Sequence, residues 1–135
     1  MQLAARWLAA LLVVAPAAAL AAEGWSFEDS DGAVRLCWGG KPLARYVYAD
    51  SAIPRPYFAD LCAPSGVQVT RNHPPRAGAD RMDHPEFHPG VWLAFGNLNG
   101  ADNWRLKARV EHRSFTTPPT AQGDGTVKFT ALNHY

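Results

Sequence analysis

The sequence predicts an all-β protein built as an antiparallel sandwich, and three observations predict it. Short runs of alternating apolar and polar residues recur along the chain. The chain also carries 11 glycines and 11 prolines, which punctuate those runs at short intervals. Third, no stretch combines a 3.6-residue apolar period with the capping residues that an amphipathic helix needs.

The first 22 residues stand apart from this pattern. Arg6 supplies a positive charge, Trp7 to Val14 an apolar run, and the alanines that follow a small-residue cleavage site after Ala21 or Ala22. Pro16 breaks the run short of the roughly 20 strongly apolar residues that span a bilayer. Residues 1–22 therefore read as a signal peptide and residues 23–135 as one exported domain, periplasmic or secreted, with no membrane span after cleavage. The formal net charge is +1, from 13 basic and 12 acidic residues, which gives no electrostatic reason to expect nucleic acid or an anionic membrane as partner.

From Gly24 the elements follow in order. Trp25 to Glu28 alternates, Asp31-Gly32 is a hairpin signal, and Ala33 to Trp38 alternates again before Gly39-Gly40-Lys41-Pro42 interrupts. Leu43 to Tyr48 forms the third strand, with Arg45 and Val47 on one face and Ala44, Tyr46 and Tyr48 on the other. Ser51 to Arg55 reads as a turn, Pro56-Tyr57-Phe58 leads into Leu61-Cys62, Pro64-Ser65-Gly66 turns, and Val67 to Thr70 is a short strand. Val91 to Phe95 is apolar, and its valine and aromatic content favours a buried strand. Leu106 to Phe115 reads as a long basic strand, Thr116 to Gly125 as a Pro/Gly turn, and Thr126 to Tyr135 as the last strand, alternating through Val127, Phe129 and Ala131. The pattern stops at Tyr135 inside a strand, which predicts a fragment whose bare edge favours self-association.

Two cysteines, Cys37 and Cys62, leave two readings open in an exported chain. One is a disulfide closing a loop of about 25 residues, worth on the order of 3 kcal/mol. The other is a pair of separate thiols.

The chemistry concentrates between Thr70 and Trp104, which hold three of the five histidines and two of the five tryptophans among prolines, carboxylates and asparagines. Such residues are costly to bury without partners, and a polar cluster on proline-rich loops suits a binding site.

The order of motifs resembles a family. Arg55-Pro56-Tyr57-Phe58, Pro64-Ser65-Gly66, Val69-Thr70-Arg71-Asn72-His73-Pro74-Pro75, Asp83-His84-Pro85, His88-Pro89-Gly90, Trp92 and Asn99-Gly100-Ala101-Asp102-Asn103-Trp104 together resemble the bacterial PmoA-like proteins, exported proteins that carry a methane oxygenase label. Members of that family are longer, in keeping with an N-terminal fragment here. Arg76 to Met82 intervenes where the family has a compact histidine segment, which leaves the pairing of His84 and His88 with the family's histidines open. A membrane oxygenase subunit needs several apolar spans, and residues 23–135 contain none. The resemblance implies a fold similar to the galactose-mutarotase-like supersandwich of sugar epimerases and polysaccharide lyases.

The site reading follows from that resemblance and from the residues. His73, His84 and His88 are the candidate acids or bases. Tyr57, Trp92 and Trp104 are candidate platforms for a sugar ring, with Arg71, Asn72, Asp83, Asn97, Asn99 and Asp102 bonding its hydroxyls. A tryptophan is more often core than platform, and an Asn-Gly is usually only a turn. No cofactor is expected. The alternative is zinc, iron or copper at His84, His88 and Asp83 in an oxygenase-like oxidoreductase, although Pro85 and Pro89 disfavour the helix on which an i,i+4 histidine pair is a ligand motif. A non-catalytic glycan-binding module is the third reading.

Overall fold

The computed structural model describes residues 23–135, so the signal peptide assigned to residues 1–22 lies outside the described residues. Six strands appear: β1 (Trp25–Ser30), β2 (Ala33–Trp38), β3 (Lys41–Val47), β4 (Tyr57–Ala59), β5 (Glu111–Ala121) and β6 (Val127–His134). They form a four-stranded sheet in the order β1-β2-β3-β4 and a two-stranded sheet of β5 and β6, every pair antiparallel. The all-β antiparallel class is the one the sequence predicts. Among the described residues no helix is long and apolar enough to cross a membrane.

The first two hairpins are set locally. Asp31-Gly32 and Gly39-Gly40 each place two successive residues at positive φ, the conformation of a two-residue type I′ turn, whose twist matches that of the strands it joins. The second turn is tight enough that β3 resumes at Lys41 rather than Leu43, and a register shift between Leu36 and Cys37 sets Pro42 opposite Cys37.

The four-stranded sheet is covered on both faces around β3 and β4. Val34, Tyr46 and Phe58 share one face through the pairings of Tyr46 with both neighbours. There Tyr46 meets Phe129 at 5.1 Å between ring centroids and Phe115 at 6.0 Å, so the β5-β6 ribbon lies over this face as the second layer. His112 joins that aromatic layer, 4.7 Å from Tyr48, which gives it a packing role. The opposite face carries Val47, Tyr57 and Ala59, which bury with Ile53 and take Trp92 and Ala33 against them. Trp92 thereby anchors the histidine loop to the core.

Three elements differ from the sequence reading. Val91 to Phe95 is not a buried strand: only Val91 pairs, with Phe58, while Leu93 is 66% exposed. The Phe95 carbonyl instead accepts from the amides of Asn103 and Trp104, so the segment closes its own loop before it can lengthen the sheet. Val67 to Thr70 likewise contributes a single bridge, Gln68 to Cys62. Finally, β5 begins at Glu111 and runs through Pro118-Pro119, which the sequence reads as turn. A strand in a two-stranded ribbon has one unpaired side, and prolines are tolerated where no ladder donor is needed. Cys37 and Cys62 are free thiols, so the disulfide left open by the sequence is not formed.

Candidate functional site

The loop from Thr70 to Trp104 has almost no regular structure of its own, and two arginines hold it. Arg55 is 3% exposed and lies at the entry to β4. Its Nη2 donates to the carbonyl of Phe87 at 2.9 Å, and its Nη1 to those of Trp104 at 2.9 Å and Asn103 at 3.2 Å. The same guanidinium sits 4.7 Å over the Trp92 ring. Burial lowers its pKa, and the carbonyl dipoles take the place of a carboxylate in receiving the charge. Arg71 does the same further out: Nε donates to the His88 carbonyl, Nη1 to those of Arg81 and Asp83, and Nη2 to that of His84. Between the two clamps the amides of Phe87 and His88 donate to the His84 carbonyl, making one isolated helical turn. Pro85 fits the first position of such a turn, where its missing N–H is not needed. As the prolines lead one to expect, no helix forms here, and the single turn is what brings the two imidazoles near each other.

That turn sets the His84 and His88 rings 6.2 Å apart. His88 lies 5.3 Å from Trp92, and Trp92 5.9 Å from Trp104. Together with Phe87 and Arg105 these side chains line an open cleft of about 330 Å³, within the usual range of small-molecule sites. Trp104 stands 47% exposed at its edge. Four of the residues singled out in the sequence thus converge: His84, His88, Trp92 and Trp104. Phe87 and Arg105 were missed. The signal for Arg105 was local, since it follows Asp102 by three residues and the Asp102 carboxylate accepts from both its amide and its Nη1.

The other singled-out residues stand elsewhere. Tyr57 is 2% exposed and its hydroxyl donates to Asp50 Oδ2 at 2.6 Å, so its ring is core rather than platform. Asn72 donates to Asp80 and pins the loop. Asn97 accepts from the Gly100 amide and Asn99 has φ 52°, which makes the segment a self-contained turn. Asp83 lies 3.7 Å from Arg71. Among the described residues no three His, Cys, Asp or Glu side chains are grouped to hold a metal ion.

His73 belongs to a separate network. Its ring meets Tyr57 edge-on at 5.3 Å, its Nε2 lies 3.9 Å from Asp50 Oδ2, and its carbonyl accepts from Arg45, which also pairs with Asp60. Burial holds the imidazole below its ordinary pKa, more than the Asp50 charge raises it. For Asp50 burial acts upward, but hydrogen bonds from Tyr57 and from the amides of Ala52 and Ile53 bring the carboxyl below its usual value. Both depressed values have the same consequence for stability. It is full above the unfolded pKa and lost as pH falls toward the folded one, first below about pH 6.5 for His73 and then below about 3.9 for Asp50. The thermal midpoint is therefore expected to fall on acidification, and His73→Phe to flatten the first part of that fall. Parallel curves for the two proteins between about pH 7 and 5 would contradict it.

A family model described as a family of unknown function (DUF6807) matches residues 33–135. No curated protein and no solved structure matches the chain.

Proposed function

Since the chain belongs to the DUF6807 family, whose function is unknown, no activity follows from membership, and we propose one from the site: an exported protein that binds or processes carbohydrate. The observation that carries this reading is the open cleft lined by Trp92 and the half-exposed Trp104 beside the His84 and His88 rings. Sugar rings have apolar C–H faces and hydroxyl edges, and a pocket of rigid aromatic walls with a few hydrogen-bonding groups serves both. The motif order resembling the PmoA-like proteins, and through them the galactose-mutarotase-like supersandwich, supports the same ligand class by analogy.

Within this reading Trp104 stacks on the ring, and His88, backed by Trp92, exchanges hydrogen bonds or a proton with a hydroxyl. His84 stands as the second imidazole of the pair. The alternative of zinc, iron or copper finds two imidazoles on one helical turn, but its third donor, Asp83, is turned to Arg71.

Calorimetric titration of the protein with neutral hexoses and their disaccharides tests the reading. Binding is expected, and Trp104→Ala is expected to weaken it about tenfold, the 1.4 kcal/mol that one aromatic face contributes. If sugars bind and are transformed, and His88→Ala stops the transformation while binding remains, the site processes its ligand; binding without turnover makes it a glycan-binding module. No sugar bound, together with stoichiometric metal that His88→Ala removes, would replace the proposal with the oxidoreductase reading.

A further inference from the structure

We propose that the aromatic cleft is one half of a two-compartment site, and that its ligand is an oligosaccharide at least two residues long laid across His88 and Trp92. This rests on the carbohydrate reading above. A second cleft of about 530 Å³ shares His88 and Trp92 with the first and no other residue. Those two side chains, 5.3 Å apart between ring centroids, line both compartments.

Apart from the shared pair, the compartments are lined by different residues. The first has Trp104 and Phe87 as walls. The second carries Thr70, Asp80, Arg81 and Asp83 around Arg71, beside Ala79 and Gly90. Not all of these groups are free to meet a ligand. Arg71 holds four loop carbonyls, and Asp80 accepts from Asn72 and from the Arg76 amide. Arg81 forms none of the ion pairs among the described residues, and Asp83 has only the long contact to Arg71. A donor and an acceptor therefore face the second compartment with capacity to spare, as a hydroxyl-rich ring requires.

Two shared side chains place the compartments side by side, so one chain-like ligand, rather than two separate molecules, suits both. A sugar stacked on Trp104 directs its linkage past His88, and the next residue enters among Arg81 and Asp83. Affinity then rises with a second residue because the two halves are tethered.

The experiment uses D-glucose, D-galactose, cellobiose, maltose and lactose as probes, titrated into the whole protein. At least one disaccharide is expected to bind tenfold or more tightly than its parent hexose. Arg81→Ala, at an exposed position, is expected to remove that gain and leave the hexose affinity unchanged, whereas Trp104→Ala weakens both. If hexose and disaccharide bind equally and Arg81→Ala changes neither, the second compartment is wrong while the carbohydrate reading stands. If Arg81→Ala weakens both alike, Arg81 belongs to a single site and the division fails. If no sugar binds, both the division and the reading beneath it fall.

Discussion

Replacing Arg55 with methionine is expected to destabilise the domain by about 3 kcal/mol and to dissolve the aromatic cleft with it. The two halves of that estimate pull in opposite directions. A guanidinium at 3% exposure with no carboxylate partner carries a desolvation cost, and methionine of similar length removes it. On that ground alone the variant gains stability. Against it stand the carbonyls of Phe87, Asn103 and Trp104, which one fork satisfies at 2.9 to 3.2 Å. The Asn103 carbonyl becomes an unmet buried acceptor and those of Trp104 and Phe87 unmet part-buried ones, at up to about 1 to 3 kcal/mol apiece. Three orphans outweigh one relieved cation, because the fork's partners remain in place when it is removed. Arg55→Lys should fall between, since a single ammonium cannot reach both strands of loop in one plane. Thermal unfolding measures the first part, with a drop of roughly 10 °C expected for about 3 kcal/mol in a domain this small. Broadened His84, His88 and Trp104 resonances measure the second. A methionine variant as stable as the parent, with those resonances unchanged, would show that the carbonyls find other donors and that Arg55 does not hold the site.

How much of this was legible follows from the range of each interaction. The first hairpin was, because Asp31-Gly32 determines its turn with neighbouring residues alone; the second was read as a four-residue break, although Gly39-Gly40 makes the turn and Lys41 already belongs to β3. The cleft was half legible. Pro-flanked His84 and His88 and the nearby Trp92 and Trp104 pointed to one loop, and a single turn plus the core contact of Trp92 brings them together. His73 was read with them, yet its environment is made by Asp50 and Tyr57, remote in sequence and joined to it only by the fold. Asn97, Asn99 and Asp102 looked like ligand groups but bond or turn their own backbone, the usual competing use of such short polar side chains. Arg55 entered only through the Arg55-Pro56-Tyr57-Phe58 motif and was given no role: within Ile53-Pro54-Arg55-Pro56 it reads as a turn residue, and only the arrival of Phe87, Asn103 and Trp104 from distant loops buries it.

The same dependence on a distant neighbour makes Gly90→Ala the second large expected effect. Gly90 connects the histidine turn to Val91, and Val91 and Phe58 exchange backbone hydrogen bonds at 2.7 and 2.9 Å. To let the two backbones approach this closely Gly90 adopts φ 153°, and a Cβ there would overlap the Phe58 carbonyl oxygen. That neighbour is the backbone of β4, held in the sheet by β3, so it cannot swing aside as the end of a side chain could. Alanine must break the Val91 bridge or shift β4, and either route also moves Trp92 off the core. A loss of at least about 3 kcal/mol is expected, from overpacking together with an unfavourable φ. Gly78 supplies the control. Its φ is 83°, but a Cβ there meets open space, so Gly78→Ala isolates the backbone term, about 1 to 2 kcal/mol. The difference between the two variants in denaturant unfolding is the cost of the close approach. Equal stability for both would mean that the histidine loop is not seated on β4, and the cleft built on that seat would lose its back wall.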